Sequence, residues 1–585
     1  LGSRRSGALG DPVSGPYAGS RLSLTVKSLA GFTCSAFDRQ VQWLVAALLL
    51  SLGLLFVFAP LAWLLVRSIY SPEGDFVGLT QFARYLDTPS LQDSLARSLR
   101  LSALAAFITS LLAFGYAFGL CMTAMPGKRL FRGVALIPLM SPSLLMAISL
   151  VYWFGNQGAL KSWMGSNSIY GELGILVGSI LWTFPHALMI LMTSLATQDG
   201  RLAEAARTLG AGPWRIFFTI TLPQCRYGLL MAFVLVFMLV ITDFGVAKVI
   251  GGQANVLATD LYRQVIGQQN FSMGAVVGVF LLLPAFGAFL LERYFRARQS
   301  AALTARAVIA QPSESRLLAL FATIFCSLLG LIFIAMIGMA IVAAFVSFWP
   351  YNLSPTLKHF RFDDMDGGGW QTYWNSLQMA GGAALIGALA TFFSAWVVEK
   401  SRVGQGIRET LNLMATLPMA IPGLALGLGY ILFFNAPYQP LQFLYGSLSI
   451  MVFCTVAHFF STAHLTMLTS LKQLDREFEH VSETLSHSFL RSLVSVTIPM
   501  SLPAILEVAG YFFVNALTTV SAVVFLYAPA TQLASVAVLN MDDAGDVAPA
   551  AAMAVLIFFT AVAGRLLFGL LSHIVLSRTQ QWRQR

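Results

Sequence analysis

Twelve stretches of this chain are almost wholly apolar and about twenty residues long, the length that crosses the hydrocarbon core of a bilayer. They lie near 43–66, 102–122, 133–154, 174–194, 228–247 and 274–292. After a basic stretch from Arg293 to Arg316, six more follow at 317–347, 378–398, 411–434, 447–468, 504–526 and 550–572. A backbone of this length inside lipid finds partners for its N–H and C=O groups by closing on itself as a helix. The expected fold is therefore an all-α polytopic membrane protein of about twelve transmembrane helices. Composition agrees: of 585 residues, 57% are hydrophobic and 11% charged, whereas soluble chains carry about a quarter of their residues as charges. So few charges cannot coat a water-facing surface of this size.

The charges that remain set the orientation. Lys128, Arg129 and Arg132 follow the second stretch, and Arg293, Arg296, Arg298, Arg306 and Arg316 follow the sixth. Lys400, Arg402 and Arg408 follow the eighth, and Arg578, Arg583 and Arg585 end the sequence. Alternate loops are acidic or mixed, with Asp363, Asp364 and Asp366 in one and Asp542, Asp543 and Asp546 in another. The positive-inside rule then places both termini in the cytoplasm. The net charge of +10 is spread over these loops, which suits anionic lipid headgroups and not nucleic acid. Cys34, Cys121, Cys225, Cys326 and Cys454 are far apart and form no CxxC pair, so they read as small buried hydrophobes and not as a metal site. Residues 1–40, rich in Gly, Ser and Arg, read as a largely disordered cytoplasmic tail.

The chain repeats itself. Pro138 and Pro142 in "LIPLMSP" recur as Pro418 and Pro422 in "TLPMAIP", inside the third stretch of each set of six. These prolines are expected to kink their helices. "ARSLRLSALAA" around Ser98 recurs as "WNSLQMAGGAA" around Ser376. Two homologous six-helix halves follow, at 41–295 and 317–575, joined by a basic linker at 296–316 and ending in a tail at 576–585.

A third repeat lies after the fourth stretch of each half. Residues 199–223 run "DGRLAEAARTLGAGPWRIFFTITLP". Asp199 is placed to cap a short helix, and Gly210 to end it in the left-handed conformation. Between them Leu202, Ala205, Ala206 and Leu209 form one apolar face beside Arg201, Glu204 and Arg207. A short capped helix held between two spans suits docking into a groove on a cytoplasmic partner. The segment recurs 276 residues further on, at 475–499, with Asp475 for Asp199 and Pro499 for Pro223. Thr484 and Leu485 keep Thr208 and Leu209, Glu479 precedes His480 at the Glu204 position, and Ser486 replaces Gly210.

These paired segments resemble the EAA coupling loops of ABC importer permeases, of the type I fold, and the resemblance covers nearly the whole chain after residue 40. It implies a bacterial inner-membrane subunit whose two loops each dock on one member of a cytoplasmic ATPase dimer, with a periplasmic binding protein delivering substrate outside. ATP and Mg would act in that ATPase, since this chain has no phosphate-binding loop. Its nearest stretch, Gly127-Lys128, continues into Arg129 and has Met122 where the first glycine belongs. No cofactor and no enzymatic activity are expected of the chain itself. The departures at His480 and Ser486 leave the second contact less defined. Fused double permeases of this kind resemble the importers of ferric iron, thiamine and 2-aminoethylphosphonate. Val240 to Val277 and Phe362 to Ala380 are similar to the corresponding segments of the last group.

A zwitterion such as 2-aminoethylphosphonate needs both anionic and cationic or amide surfaces along its path. Asp243 ends an apolar run, and Lys248, Asp260 and Arg263 follow it, while Thr518, Thr519 and Ser521 lie in the matching stretch of the second half. These are the candidate gate and path residues. Carboxylates within spans usually face a cavity or a partner. Asp243 could equally hold a helix bend beside Gly245 through Lys248 or a backbone amide. His186, His458 and His464 read as interhelical hydrogen-bonding groups. A secondary transporter driven by an ion gradient would also have duplicated halves. It would not explain paired coupling loops or so few intramembrane carboxylates.

Overall fold

The computed structural model describes residues 20–302, 315–365, 367–437, 439–474 and 488–579, together with 312 and 477. Among these, ten helices are long and apolar enough to cross a membrane, and two bent helix pairs raise the number to twelve. In the first half, α1 (Ser20–Gly53) continues through a π turn into α2 (Ala59–Arg67). Next come α3 (Pro89–Met122), the bent pair α4 (Lys128–Leu136) and α5 (Ser143–Phe154), and α6 (Glu172–Ala196). A short α7 (Gly200–Thr208) leads into α8 (Leu222–Thr242), then two short helices, α9 (Gly245–Ile250) and α10 (Leu257–Tyr262), and the long α11 (Phe271–Ala302).

The second half repeats the order. It runs α12 (Arg316–Phe345), a two-stranded hairpin of β1 (Val346–Phe348) and β2 (Asn352–Pro355), α13 (Gly369–Lys400), and the bent pair α14 (Gln405–Thr416) and α15 (Gly423–Phe434). Then follow α16 (Leu448–Lys472), the short α17 (Phe489–Ser492), α18 (Ile498–Thr518), α19 (Ala534–Ala544) and α20 (Val547–Thr579).

The prolines explain the bent pairs. A residue before proline is pushed out of the helical region, and Ser141 and Ile421 are both extended, with ψ of 143° and 115°. The helices on either side diverge by 102° in the first half and 109° in the second. The backbone freed at these breaks must still be satisfied within lipid. Ser141 Oγ donates to the Pro138 carbonyl at 2.9 Å, and Ser461 Oγ accepts from Met419 N at 3.0 Å. Proline acts differently at Pro60, Pro223 and Pro499. Each lies two residues past a π turn, at 54–58, 217–221 and 493–497, where the widened helix accommodates a residue without an N–H.

The first helix of each half packs on the other half. The π turn ahead of α2 lays Phe56 against Phe434 and Phe453, with ring centroids 5.8 and 4.5 Å away, and its carbonyl accepts from Tyr430 Oη at 2.6 Å. In return, α12 lies along α3 and α5. Trp153 Nε1 donates to the Ala335 carbonyl at 3.1 Å, and Phe184 meets Phe333 at 5.0 Å. Gly115 and Gly119 make room for Phe325 and Ala322. The outer face of α12 leaves Leu317, Phe321, Ile324, Leu328 and Leu331 exposed. A stripe at this spacing requires lipid to cover it.

The reading of residues 1–40 as a disordered tail needs correction from Ser20 onward; residues 1–19 lie outside the described residues. Helix α1 already begins at Ser20. Asp38 is buried at 7% exposure, and Gln42 just beyond it at 2%. Both hydrogen-bond to the second half: Phe489 N donates to Asp38 Oδ2 and Arg402 N to Gln42 Oε1, each at 2.8 Å. Those contacts hold the end of the segment in place.

Candidate functional site

At one end of the bundle, α7 stands out from the body between α6 and α8. Asp199 Oδ1 accepts from Arg201 N at 3.1 Å, which satisfies one of the free amides of the first turn. At the other end Gly210 has φ of +78°. Gly210 N donates to the Arg207 carbonyl and Ala211 N to that of Ala206, both at 2.9 Å, the paired bonds of a Schellman stop. Gln198 Nε2 donates to the Thr221 carbonyl at 3.0 Å and ties the two ends of the segment together. Glu204, Ala205 and Gly210 are exposed and Ala206 is half-buried. Leu202, Leu209 and Trp214 are 54%, 87% and 76% exposed. These apolar side chains, on a polar helix beyond the spans, are left uncovered by the rest of the chain. Pro223 sits in the first turn of α8, directly after the π turn. Pro499 has the same place in α18. Asp475, Glu479, His480 and Ser486 lie outside the described residues.

Toward the opposite end, the two halves repeat a set of contacts around the segments that follow α8 and α18. Ser98 Oγ accepts from Leu257 N, the first amide of α10, and Ser376 Oγ from Ala534 N, the first of α19, both at 2.8 Å. These amides begin helices and have no partner within them. One residue earlier on each long helix, Arg97 donates to the Asn255 carbonyl and Asn375 to that of Gln532, both at 2.9 Å. The two serines were visible in sequence as a repeat, but only the structure gives them a task. They pin the segments after α8 and α18 to α3 and α13.

A second correspondence is reciprocal. A Cβ on Gly245 would meet Ser143 Oγ at 2.3 Å, and one on Gly423 would meet Ser521 Oγ at 2.5 Å. In the first half the broken span supplies the serine and the following segment the glycine. In the second half the roles reverse. Ser521 thus packs against the break of its own half.

The path candidates do not converge. Asp243 Oδ2 accepts from Val246 N at 2.9 Å, so of the two pairings considered, the carboxylate takes the backbone amide and not Lys248. It borders a small cavity with Ser98, Ser102 and Ser179, lined by the first half alone. Asp260 is buried at 3% exposure beside Ser94, and Arg263 is exposed. Thr518 Oγ1 donates to the Val514 carbonyl of its own helix at 3.0 Å, and the Thr519 carbonyl accepts from Ser535 Oγ at 2.7 Å. The expected facing walls of Asp243 and the Thr518, Thr519 and Ser521 hydroxyls do not share that cavity: none of the three residues lines it, and the Thr518 hydroxyl is taken by its own helix.

Lys248 does cross between the halves. Its Nζ lies 2.9 Å from Asp543 Oδ1 and sits over the Tyr262 ring at 5.5 Å. Tyr262 in turn faces Phe525 across the interface with centroids 6.2 Å apart, and Phe244 backs it at 4.9 Å. In the sequence Asp542 and Asp543 are legible only as loop charges, and nothing in their spacing points to Lys248. Burial, with Asp543 adding and Lys248 opposing, pushes the Asp542 carboxyl up to about 6. Of the histidines, His464 Nε2 lies 3.2 Å from Asn412 Oδ1 on α14, an interhelical contact. Among the described residues no group of three His, Cys, Asp or Glu side chains is arranged to hold a metal ion.

A duplicated helical bundle with broken third spans and a capped helix projecting beyond α6 defines a class: membrane permeases built from two equivalent halves. The sequence model of the family described as "Binding-protein-dependent transport system inner membrane component" matches residues 115–301 and 384–575, more than half of the chain. The chain belongs to that family. It is 26% identical over 581 residues to the ferric transport system permease protein FbpB of Actinobacillus pleuropneumoniae, covering 94% of this chain and 83% of that one. It is 33% identical over 152 residues to the molybdenum transport system permease protein ModB of Escherichia coli K12, covering 25% of this chain and 66% of ModB. A solved bacterial ABC transporter involved in import of the acidic polysaccharide alginate aligns with 46% of this chain and 98% of its own, at TM-score 0.38 and 15% identity.

Proposed function

We propose that this permease is driven by a cytoplasmic ATPase dimer docking on 199–223 and 475–499, and that it passes 2-aminoethylphosphonate or a related phosphonate from a periplasmic binding protein to the cytoplasm. The observation that carries the coupling reading is α7, rigidly capped at both ends yet exposing Leu202 and Leu209. A helix fixed in this way, linked to α6 at one end and to α8 through the helical turns at Pro213–Ile216 and Phe217–Thr221, passes a push to both spans. The orientation follows the loop charges, with α7 and both termini on the cytoplasmic side. Lys248, Asp543, Tyr262 and Phe525 then belong to the outer gate. A partly exposed ion pair is worth about 0–1 kcal/mol and an aromatic contact about 0.5–1.5 kcal/mol. A gate this weak yields to a docked binding protein and to ATP-driven closure of the dimer below, which is what alternating access requires.

The substrate reading is supported by the likeness of Val240 to Val277 and Phe362 to Ala380 to the 2-aminoethylphosphonate permeases. A second reading, ferric iron, is favoured by the name of the relative that aligns along 94% of this chain. Reconstituted vesicles separate the two. With ATP inside and binding protein outside, labelled 2-aminoethylphosphonate should accumulate and ferric iron should not. Uptake of iron alone would replace the first reading with the second. Uptake that persists without ATP and stops when an ion gradient is collapsed would overturn both.

A further inference from the structure

We propose that Asp38, in the first helix of the chain, is a positioning residue for the second ATPase-coupling segment, and this inference rests on the coupling reading above. The two segments differ in how their ends are held. In the first, Gln198 Nε2 reaches the Thr221 carbonyl at 3.0 Å, so the segment closes on itself. In the second, the position of Gln198 is Leu474, which has no side-chain donor, and Gly210 is replaced by Ser486. The described ends of the second segment are held from outside it. Lys400 Nζ at the end of α13 donates to the Leu474 carbonyl at 3.3 Å, and Asp38 Oδ2 accepts from Phe489 N at 2.8 Å.

Asp38 is 451 residues away from Phe489 in the chain, yet it binds the first amide of α17. That amide lies at a helix start and has no partner within the helix, so a buried carboxylate there makes a charge-assisted bond of the stronger kind. The Phe489 ring meanwhile packs on the buried Trp396 at 5.4 Å. Four residues along α1, Gln42 Oε1 accepts from Arg402 N and fixes the same helix to the end of α13. Helix α1 leads through the π turn at 54–58 into the contacts of Phe56 with the second half. A push on the second segment therefore reaches α1 directly through Asp38, whereas the first segment packs through Phe217 on Phe114 and Phe118 of α3.

The test uses the full complex of chain, ATPase and binding protein in lipid nanodiscs, with Asp38→Ala and Asp38→Asn. Asn keeps an acceptor for Phe489 N and Ala does not. Amide hydrogen exchange at Phe489 should rise about tenfold in Asp38→Ala and stay near wild type in Asp38→Asn. Nitroxides at Arg39→Cys and Val494→Cys, both exposed positions, should keep one separation between nucleotide-free and vanadate-trapped states in wild type and Asp38→Asn. In Asp38→Ala that separation should change with nucleotide, and less substrate should enter per ATP hydrolysed. Unchanged exchange at Phe489 in Asp38→Ala, or a separation that varies with nucleotide in the wild type, overturns the inference. A wild-type chain that purifies without any ATPase subunit removes the coupling reading itself, and this inference with it.

Discussion

Gly245→Ala should damage the protein through one atom. The new Cβ would lie 2.3 Å from Ser143 Oγ, with Leu144 Cγ and N at 3.3 and 3.4 Å. Gly245 does not have a positive φ, so alanine is acceptable to the backbone and only the contact matters. Ser143 can rotate away, but its hydroxyl bonds the Asp243 carboxylate. The alternatives are overpacking, at about 1–3 kcal/mol, or loss of a hydrogen bond to a charged group, at about 1.5–3 kcal/mol. Either gives a loss of about 2 kcal/mol. Ser143→Gly removes the obstacle and, like Gly423 opposite Ser521, leaves a glycine at the break. The double variant should then be little worse than Ser143→Gly alone, a coupling energy of about 2 kcal/mol, with the Leu144 contacts limiting full recovery. Unfolding in mixed SDS micelles measures each corner of the cycle, and uptake reports whether the gate still works. Strictly additive effects, or a Gly245→Ala variant as stable as the wild type, would refute the reasoning.

Gly210→Ala should cost about 1–2 kcal/mol at the end of α7. Since no atom lies within 4 Å of the new Cβ, uptake should fall while the melting of the spans is unchanged. Ser98→Ala and Ser376→Ala each leave a buried helix-starting amide without its acceptor, for a loss of about 1–3 kcal/mol in the same micelle titration. Lys248→Asp should open the outer gate by like-charge repulsion with Asp543, read as ATP hydrolysis that no longer needs the binding protein, and adding Asp543→Lys should restore the requirement. The Asp542 carboxyl is raised to about 6 in the closed structure, first by burial and then by Asp543. The closed form therefore holds its proton more tightly than a form that exposes Asp542 to water. Its stability should be greatest near pH 4, fall as pH rises toward 6 and level off above, and Asp542→Asn should flatten that dependence of the basal ATPase rate.

The spans, the repeat and the two helix breaks are legible because each is local. Apolar length, the spacing of Pro138 and Pro142, and the capping residues Asp199 and Gly210 act within a few residues of where they stand. The exchange of first helices is not legible. Between helices in lipid there is no hydrophobic contrast to show which face meets which, and the stripe of α12 that faces lipid is as apolar as its buried side. Long-range polar contacts escape for a related reason. Asp38 with Phe489, and Lys248 with Asp543, are defined by where the bundle brings distant turns together. The path residues are only partly brought together, because a hydroxyl such as that of Thr518 bonds its own helix, which the spacing alone does not reveal.

The most direct test of the account replaces Leu209 with a photo-crosslinking amino acid and asks what it captures in native membranes. Leu209, 87% exposed at the end of α7, should capture one nucleotide-hydrolysing subunit efficiently, in a yield that changes when vanadate traps the nucleotide. Capture of lipid alone, or of no ATPase under any nucleotide condition, would contradict it.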